Sequence, residues 1–161
     1  IKNLFEDILV STDSQIIQNI SKKYNFLSPW LRPKKLSNQF VSSESSALHA
    51  LLWYEKNIKK IDALFLFQPT SPFRTEKKII NAIKKLSKNK DKQVISICSK
   101  KTYKFKKGDI NGSIYLTPVT IFKKFKTFKK KEFLPLKTYS ALENIDIDTL
   151  DDLVFAENIL K

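Results

Sequence analysis

The sequence predicts an α/β fold, a sheet wrapped by helices, and three observations carry that expectation. Short apolar runs alternate with segments whose apolar residues recur at helical spacing. Capping residues stand where those helical segments begin. One run, Ala63-Leu64-Phe65-Leu66-Phe67, is apolar throughout, as a strand covered on both faces should be. With 161 residues, 42% of them hydrophobic, the chain is long enough for a core, and a single domain over residues 1–161 is expected.

Each element has its own signal. Residues 7–11 form a short β-branched run, after which Thr12-Asp13-Ser14 caps a helix with Ile16, Ile17 and Ile20 as its apolar stripe. Residues 31–36 read as loop, because Pro33 lacks an amide donor and biases Arg32 to extended geometry. A second helix starts near Ser42-Ser43, with Ala47, Leu48, Leu51 and Leu52 as its buried face. Beyond the apolar strand, Thr75 caps a third helix that turns Ile79, Ile80, Ile83 and Leu86 inward and its lysines to solvent. Residues 93–98 and 113–116 are further strands, with Asn111-Gly112-Ser113 a turn in which Gly112 permits positive φ. Pro118 opens a short helix. Thr149-Leu150-Asp151-Asp152 matches a capping box, with Asp in place of Glu or Gln, ahead of Leu153, Val154, Ala156 and Ile159.

Composition narrows the class. Two glycines and one cysteine exclude collagen-like, low-complexity and disulfide-stapled designs. No apolar run reaches the ~18 residues of a membrane span, and residues 1–10 carry Glu6 and Asp7 where a signal peptide would be basic, so a cytoplasmic protein is expected. The chain begins at Ile1 and contains no Met, which points to a fragment or a trimmed product. The net charge of +14 is nearly all lysine, since only Arg32 and Arg74 are arginine, whereas phosphate and base recognition favours the bidentate guanidinium. The sign reverses between Lys137 and Lys161, where Glu143, Asp146, Asp148, Asp151, Asp152 and Glu157 stand without a lysine.

Two stretches offer chemistry. Residues 68–74, Gln-Pro-Thr-Ser-Pro-Phe-Arg, follow the strongest strand and precede a helix, where ligands sit in open α/β sheets. Gln68, Thr70 and Ser71 supply amide and hydroxyl groups and Arg74 a fork for phosphate; an ordinary proline-rich turn is an equal reading of the spacing. In residues 144–149 extended geometry puts Asp146 and Asp148 on one face and Ile145 and Ile147 on the other. Two like charges on one face call for a cation, and hard oxygens suit Mg²⁺ shared with substrate phosphates. The alternative, that Asp148 supports the following helix N-terminus, leaves Asp146 unexplained. Arg32 and the Ser42-Ser43 helix start could hold an anion. His49 reads as a satisfied helix histidine, Cys98 as a buried small hydrophobe, and neither glycine belongs to a phosphate loop. Residues 122–131 interleave Phe with Lys, as a single-strand nucleic-acid binder would, although Phe122, Phe125 and Phe128 at three-residue spacing fit a helix face on the core.

Taken in order, residues 8–13, Leu31-Arg32-Pro33, Ser42-Ser43 with Leu48-His49-Ala50-Leu51, residues 68–74, Asn111-Gly112-Ser113-Ile114-Tyr115 and residues 145–149 resemble the acylneuraminate cytidylyltransferases, or CMP-sialic acid synthetases. The resemblance implies a Rossmann-like nucleotidyltransferase fold of the nucleotide-diphospho-sugar transferase type, a three-layer sandwich that dimerises. It implies synthesis of a CMP-sugar from CTP and a nonulosonic acid, with release of pyrophosphate. It further implies that Arg32, Ser43 and Gln68 line the nucleotide site, that Asn111 and Tyr115 lie between nucleotide and sugar, and that Asp146 and Asp148 bind Mg²⁺. Asp148 or a water on the metal would take the proton of the sugar hydroxyl. Two alternatives stand beside it: a 3-deoxy-manno-octulosonate cytidylyltransferase, and a basic nucleic-acid-binding module that needs no paired carboxylates.

The chain departs from the family pattern in three places. The N-terminal strand and its glycine- and lysine-bearing phosphate loop are absent, Gln39 stands where an Asp is usual, and the stretch from Cys98 to Asn111 is short where members carry a dimer arm. Loss of a central first strand would leave unpaired edges, so poor stability of the isolated chain is expected.

Overall fold

Helix starts follow the hydroxyl side chains that the sequence supplies. In the computed structural model, which describes residues 2–102 and 104–160, the chain divides into two units, Ile1–Ile61 and Asp62–Lys161. In the first unit Ser14 caps α1 (Gln15–Lys23) by accepting from the Ile17 amide, and Ser42 caps α2 (Ser43–Asn57) by accepting from the Ser45 amide at 3.2 Å. The strand expected over residues 7–11 is reduced to two isolated parallel bridges, Leu9 with Leu27 and Thr12 with Leu31. Side chains take the intervening carbonyls: Ser28 Oγ donates to Val10 O at 3.1 Å and Arg32 Nη1 to Ser11 O at 3.3 Å.

α1 turns its faces the opposite way from the expected one. Ile16, Ile17 and Ile20 are exposed, while Gln18 and Ser21 are buried, because Gln18 Nε2 donates to Ser28 O at 2.9 Å and draws the polar edge inward. α2 buries Leu51 and Tyr54 and exposes Leu52. The Tyr54 hydroxyl donates to Asp7 at 2.5 Å; burial, with this bond and the charge behind it, pushes its pKa up to about 12. His49 meets the Trp30 ring edge-on at 5.1 Å, and its buried Nδ1 makes no hydrogen bond among the described residues, so there the histidine is packed but not satisfied as expected.

The second unit is built on a mixed four-stranded sheet of order β1-β3-β2-β4, with β1 Ala63–Leu66, β2 Gln93–Cys98, β3 Ile110–Pro118 and β4 Phe133–Thr138. β3 runs antiparallel to β1 and β2, and β4 runs parallel to β2. Among the described residues no crossover helix lies between β2 and β3. Their connection closes where the Gly108 amide, at φ +94°, donates to Cys98 O at 2.8 Å and the Cys98 amide donates to Asp109 O at 2.9 Å. As an edge strand β1 is half-buried along its length, not covered on both faces. β4 is the other edge, and Pro135 at its middle, which reads against a strand in the sequence, is tolerated there because the outer side needs no donor.

One face of this sheet packs on α3 (Glu76–Ser87), capped by Thr75, through Ala82, Val94, Ile114, Leu116 and Leu136. The other face of β3 carries Tyr115, with the Phe128 ring at 6.1 Å. α4 (Val119–Phe125) starts after Pro118 and stops at Lys126, which is left-handed at φ 49°. That stop splits the phenylalanine series expected on one helix face. Phe122 and Phe128 pack tilted at 4.6 Å in the core and Phe125 is exposed, so these three rings form no solvent-facing row for base stacking. α5 (Leu150–Leu160) opens on a reciprocal box in which the Asp152 amide donates to Thr149 Oγ1 at 3.2 Å and the Thr149 amide to Asp152 Oδ2 at 3.0 Å. Of its expected apolar stripe only Ala156 is buried. No helix among the described residues is long and apolar enough to cross a membrane.

Candidate active site

The site begins with an irregularity in β3. The two-residue step from Ile95 to Ile97 is matched by the five-residue step from Tyr115 to Ile110, so β3 bulges, and Gly112 sits inside the bulge at φ +74° and not in a preceding turn. A Cβ there would lie 2.9 Å from Gln68 Oε1 and 3.3 Å from Ser71 Oγ. The glycine thus lets the loop after β1 lean directly on the backbone of β3. Arg74 holds that loop in place: Nη2 donates to Gln68 O at 2.5 Å, Nε donates to Ser113 O, and the guanidinium lies 4.9 Å from the Phe67 ring centroid. Burial lowers its pKa to about 10, opposed by Asp146, so it stays charged at neutral pH. Arg74, offered by the sequence as a phosphate fork, is turned inward to the loop backbone.

The acidic segment meets this loop. The Ile147 amide donates to Thr70 O at 2.7 Å, and Ser71 Oγ donates to Asp146 Oδ1 at 3.4 Å. Asp152, not Asp148, supports the start of α5, accepting from the amides of Asp148 and Thr149 at 3.0 Å each. The Asp148 carboxylate is therefore left for another role and stands 54% exposed. Lys104 faces it, with Nζ 2.7 Å from Asp148 Oδ2, 2.7 Å from Asp146 O and 3.2 Å from Asp152 Oδ2. Burial works against this ammonium, but the bonds from Asp148 and Asp152 outweigh it and raise its pKa. Sequence reasoning misses Lys104 because Lys100, Lys101, Lys106 and Lys107 surround it and no spacing singles it out.

Asn111 and Tyr115 are both inside the second unit. Asn111 is 1% exposed; its Nδ2 donates to Thr138 Oγ1 at 2.8 Å and Asn144 Oδ1 at 2.6 Å, and its Oδ1 accepts from Ser96 Oγ at 2.5 Å. Cys98 Sγ also donates to Asn144 Oδ1, at 2.8 Å, and burial raises its thiol pKa. This network fixes the residue from which the 145–149 segment departs. Tyr115 is buried, with the Lys129 ammonium 5.6 Å from its ring centroid. Arg32 and Ser43 belong to the first unit. Arg32 donates to Ser37 Oγ at 3.2 Å and pairs with Asp13 at 3.3 Å. Ser43 is the exposed first residue of α2, next to the cap formed by Ser42.

Among the described residues no group of three or more His, Cys, Asp or Glu side chains could hold a metal by itself. Asp146 and Asp148 nevertheless offer hard oxygens from one segment, and the Lys104 ammonium already fills a cation seat beside them. Two carboxylates suit an ion completed by substrate phosphates.

The arrangement of sheet, helices and strand-end loop is an α/β fold shared with a solved structure: the 4-diphosphocytidyl-2C-methyl-D-erythritol synthase of Anaerococcus prevotii superposes with a TM-score of 0.64 over 98% of this chain and 83% of its own, at 18% identity. The curated relatives to which the chain is similar are cytidylyltransferases of nonulosonic acids. The CMP-N,N'-diacetyllegionaminic acid synthase of Legionella pneumophila is 28% identical over 97% of this chain and 78% of its own length. A pseudaminic acid cytidylyltransferase of Campylobacter jejuni is 22% identical over 98% and 79%. The N-acylneuraminate cytidylyltransferase of Escherichia coli is 39% identical over 83 residues, 50% of this chain and 18% of that one. No protein-family model matches the chain. The resemblance read from the motifs, and the α/β nucleotidyltransferase fold it implied, are thus borne out.

Proposed function

We propose that the protein is a cytidylyltransferase that joins CMP from CTP to a nonulosonic acid and releases pyrophosphate. The observation that carries the reading is the joining of loop 68–74 to the acidic segment through the Ile147–Thr70 hydrogen bond, with Gln68 and Ser71 against Gly112 and the Ser71 hydroxyl on Asp146. The similarity to cytidylyltransferases of legionaminic, pseudaminic and neuraminic acids supports it, and favours it over the octulosonate and nucleic-acid alternatives.

In this reaction the anomeric hydroxyl of the sugar attacks the α-phosphorus of CTP. The new O–P bond forms as the bond to the β-phosphate breaks, and pyrophosphate leaves with the electron pair. Asp148, exposed and on a rigid capped segment, accepts the hydroxyl proton. Asp146 and Asp148 would hold Mg²⁺, which neutralises charge developing on the phosphates. In the second unit Gln68 contacts the nucleotide and Asn111 and Tyr115 shape the floor between nucleotide and sugar, and the assembly is a homodimer.

The test is pyrophosphate release from CTP and Mg²⁺ with legionaminic, pseudaminic and neuraminic acids in turn. Asp146→Asn and Asp148→Asn should each lower the rate by about 100-fold or more, the scale of losing a charge-stabilising group. Rates within a factor of about two of the parent would overturn the assignment.

A further inference from the structure

We infer that Lys104 is a built-in competitor for the divalent cation, its ammonium closing the seat made by Asp146 O, Asp148 Oδ2 and Asp152 Oδ2 until nucleotide arrives. The inference rests on the proposed roles of Asp146 and Asp148. Three oxygens within 3.2 Å satisfy the three donors of an ammonium. A divalent ion on Asp148 would stand within a few ångströms of that charge, and the repulsion between them sets the two in competition for the carboxylate. Lys104 is free to leave on its flexible four-carbon stem, because Asp152 keeps the amides of Asp148 and Thr149 and Asp146 keeps the Ser71 hydroxyl. The start of α5 and the loop contact therefore survive its departure. A triphosphate shifts the balance twice: its oxygens complete the coordination of the ion, and they give the displaced ammonium a new anionic partner. The ion alone accordingly binds weakly, and loading is coupled to the nucleotide.

The experiment is Mn²⁺ binding to the full chain without nucleotide, read by electron paramagnetic resonance, for the parent, Lys104→Met, Lys104→Arg and Asp148→Asn. Lys104→Met should bind Mn²⁺ about tenfold more tightly than the parent and Lys104→Arg like the parent, the scale on which part-exposed ion pairs compete. Acetylation of Lys104 in the parent, followed by peptide mass spectrometry, should accelerate when Mn²⁺ is added, which needs no variant to fold. Equal Mn²⁺ affinity of Lys104→Met and parent, with binding lost in Asp148→Asn, overturns the competitor role and leaves the metal reading intact, as does a Lys104 acetylation rate indifferent to Mn²⁺. Equal behaviour of all four proteins overturns the metal reading and the competitor role together.

Discussion

At the scale of single residues, Gly112 is the position where the site is least tolerant of change. Its φ of +74° is costly for any other residue, and a Cβ would press on Gln68 Oε1 at 2.9 Å. Gly112→Ala should lower stability by about 1–2 kcal/mol in urea unfolding, the cost of a left-handed alanine, and weaken CTP binding by moving Gln68. An unchanged midpoint would show that the bulge relaxes around a methyl group. Asp146 and Asp148 were legible as candidates because alternation in extended chain puts residues i and i+2 on one face. The roles of Arg74 and Lys104 were not. A lysine among lysines gains meaning only when a segment some forty positions away folds against it, and burial turns a phosphate fork into an internal brace.

At the scale of elements, caps were legible and strand partners were not. Ser14, Ser42, Thr75 and Thr149 each start the helix that local chemistry assigns them. β4 escaped because Pro135 is a breaker by local rules, and only its place at the sheet edge makes it harmless. The inverted face of α1 has the same origin, since Gln18 finds a carbonyl ten residues away that no periodicity reveals. The end of α4 is also a tertiary matter. Lys126 is held left-handed with its amide on Phe122 O at 2.7 Å, so that Phe128 can return to the core. Lys126→Gly should therefore raise stability by about 1 kcal/mol, the strain released at a helix end. A fall in the thermal midpoint would mean that the lysine side chain contributes more than the backbone strain removes.

At the scale of the whole molecule, the α/β class followed from alternation, while the direction of β3 went with a connection from β2 that holds no crossover helix among its described residues. The charge of +14 is nearly all lysine, spread over helices and loops, and the informative charge is the acidic stretch that Lys104, in the connection between β2 and β3, answers. The hydrogen bond from Ile147 to Thr70 has a kinetic meaning as well. It joins stretches of chain separated by most of the second unit, and contacts of such high sequence separation close late because loop entropy must be overcome first. Helices and the β2–β3 pairing form from near neighbours, so on refolding from urea the far-UV circular dichroism should recover before pyrophosphate-releasing activity does. Simultaneous recovery would place that contact in the folding nucleus. In either case the second unit acquires its chemistry at the moment when the loop after β1 and the acidic segment, far apart along the chain, find each other.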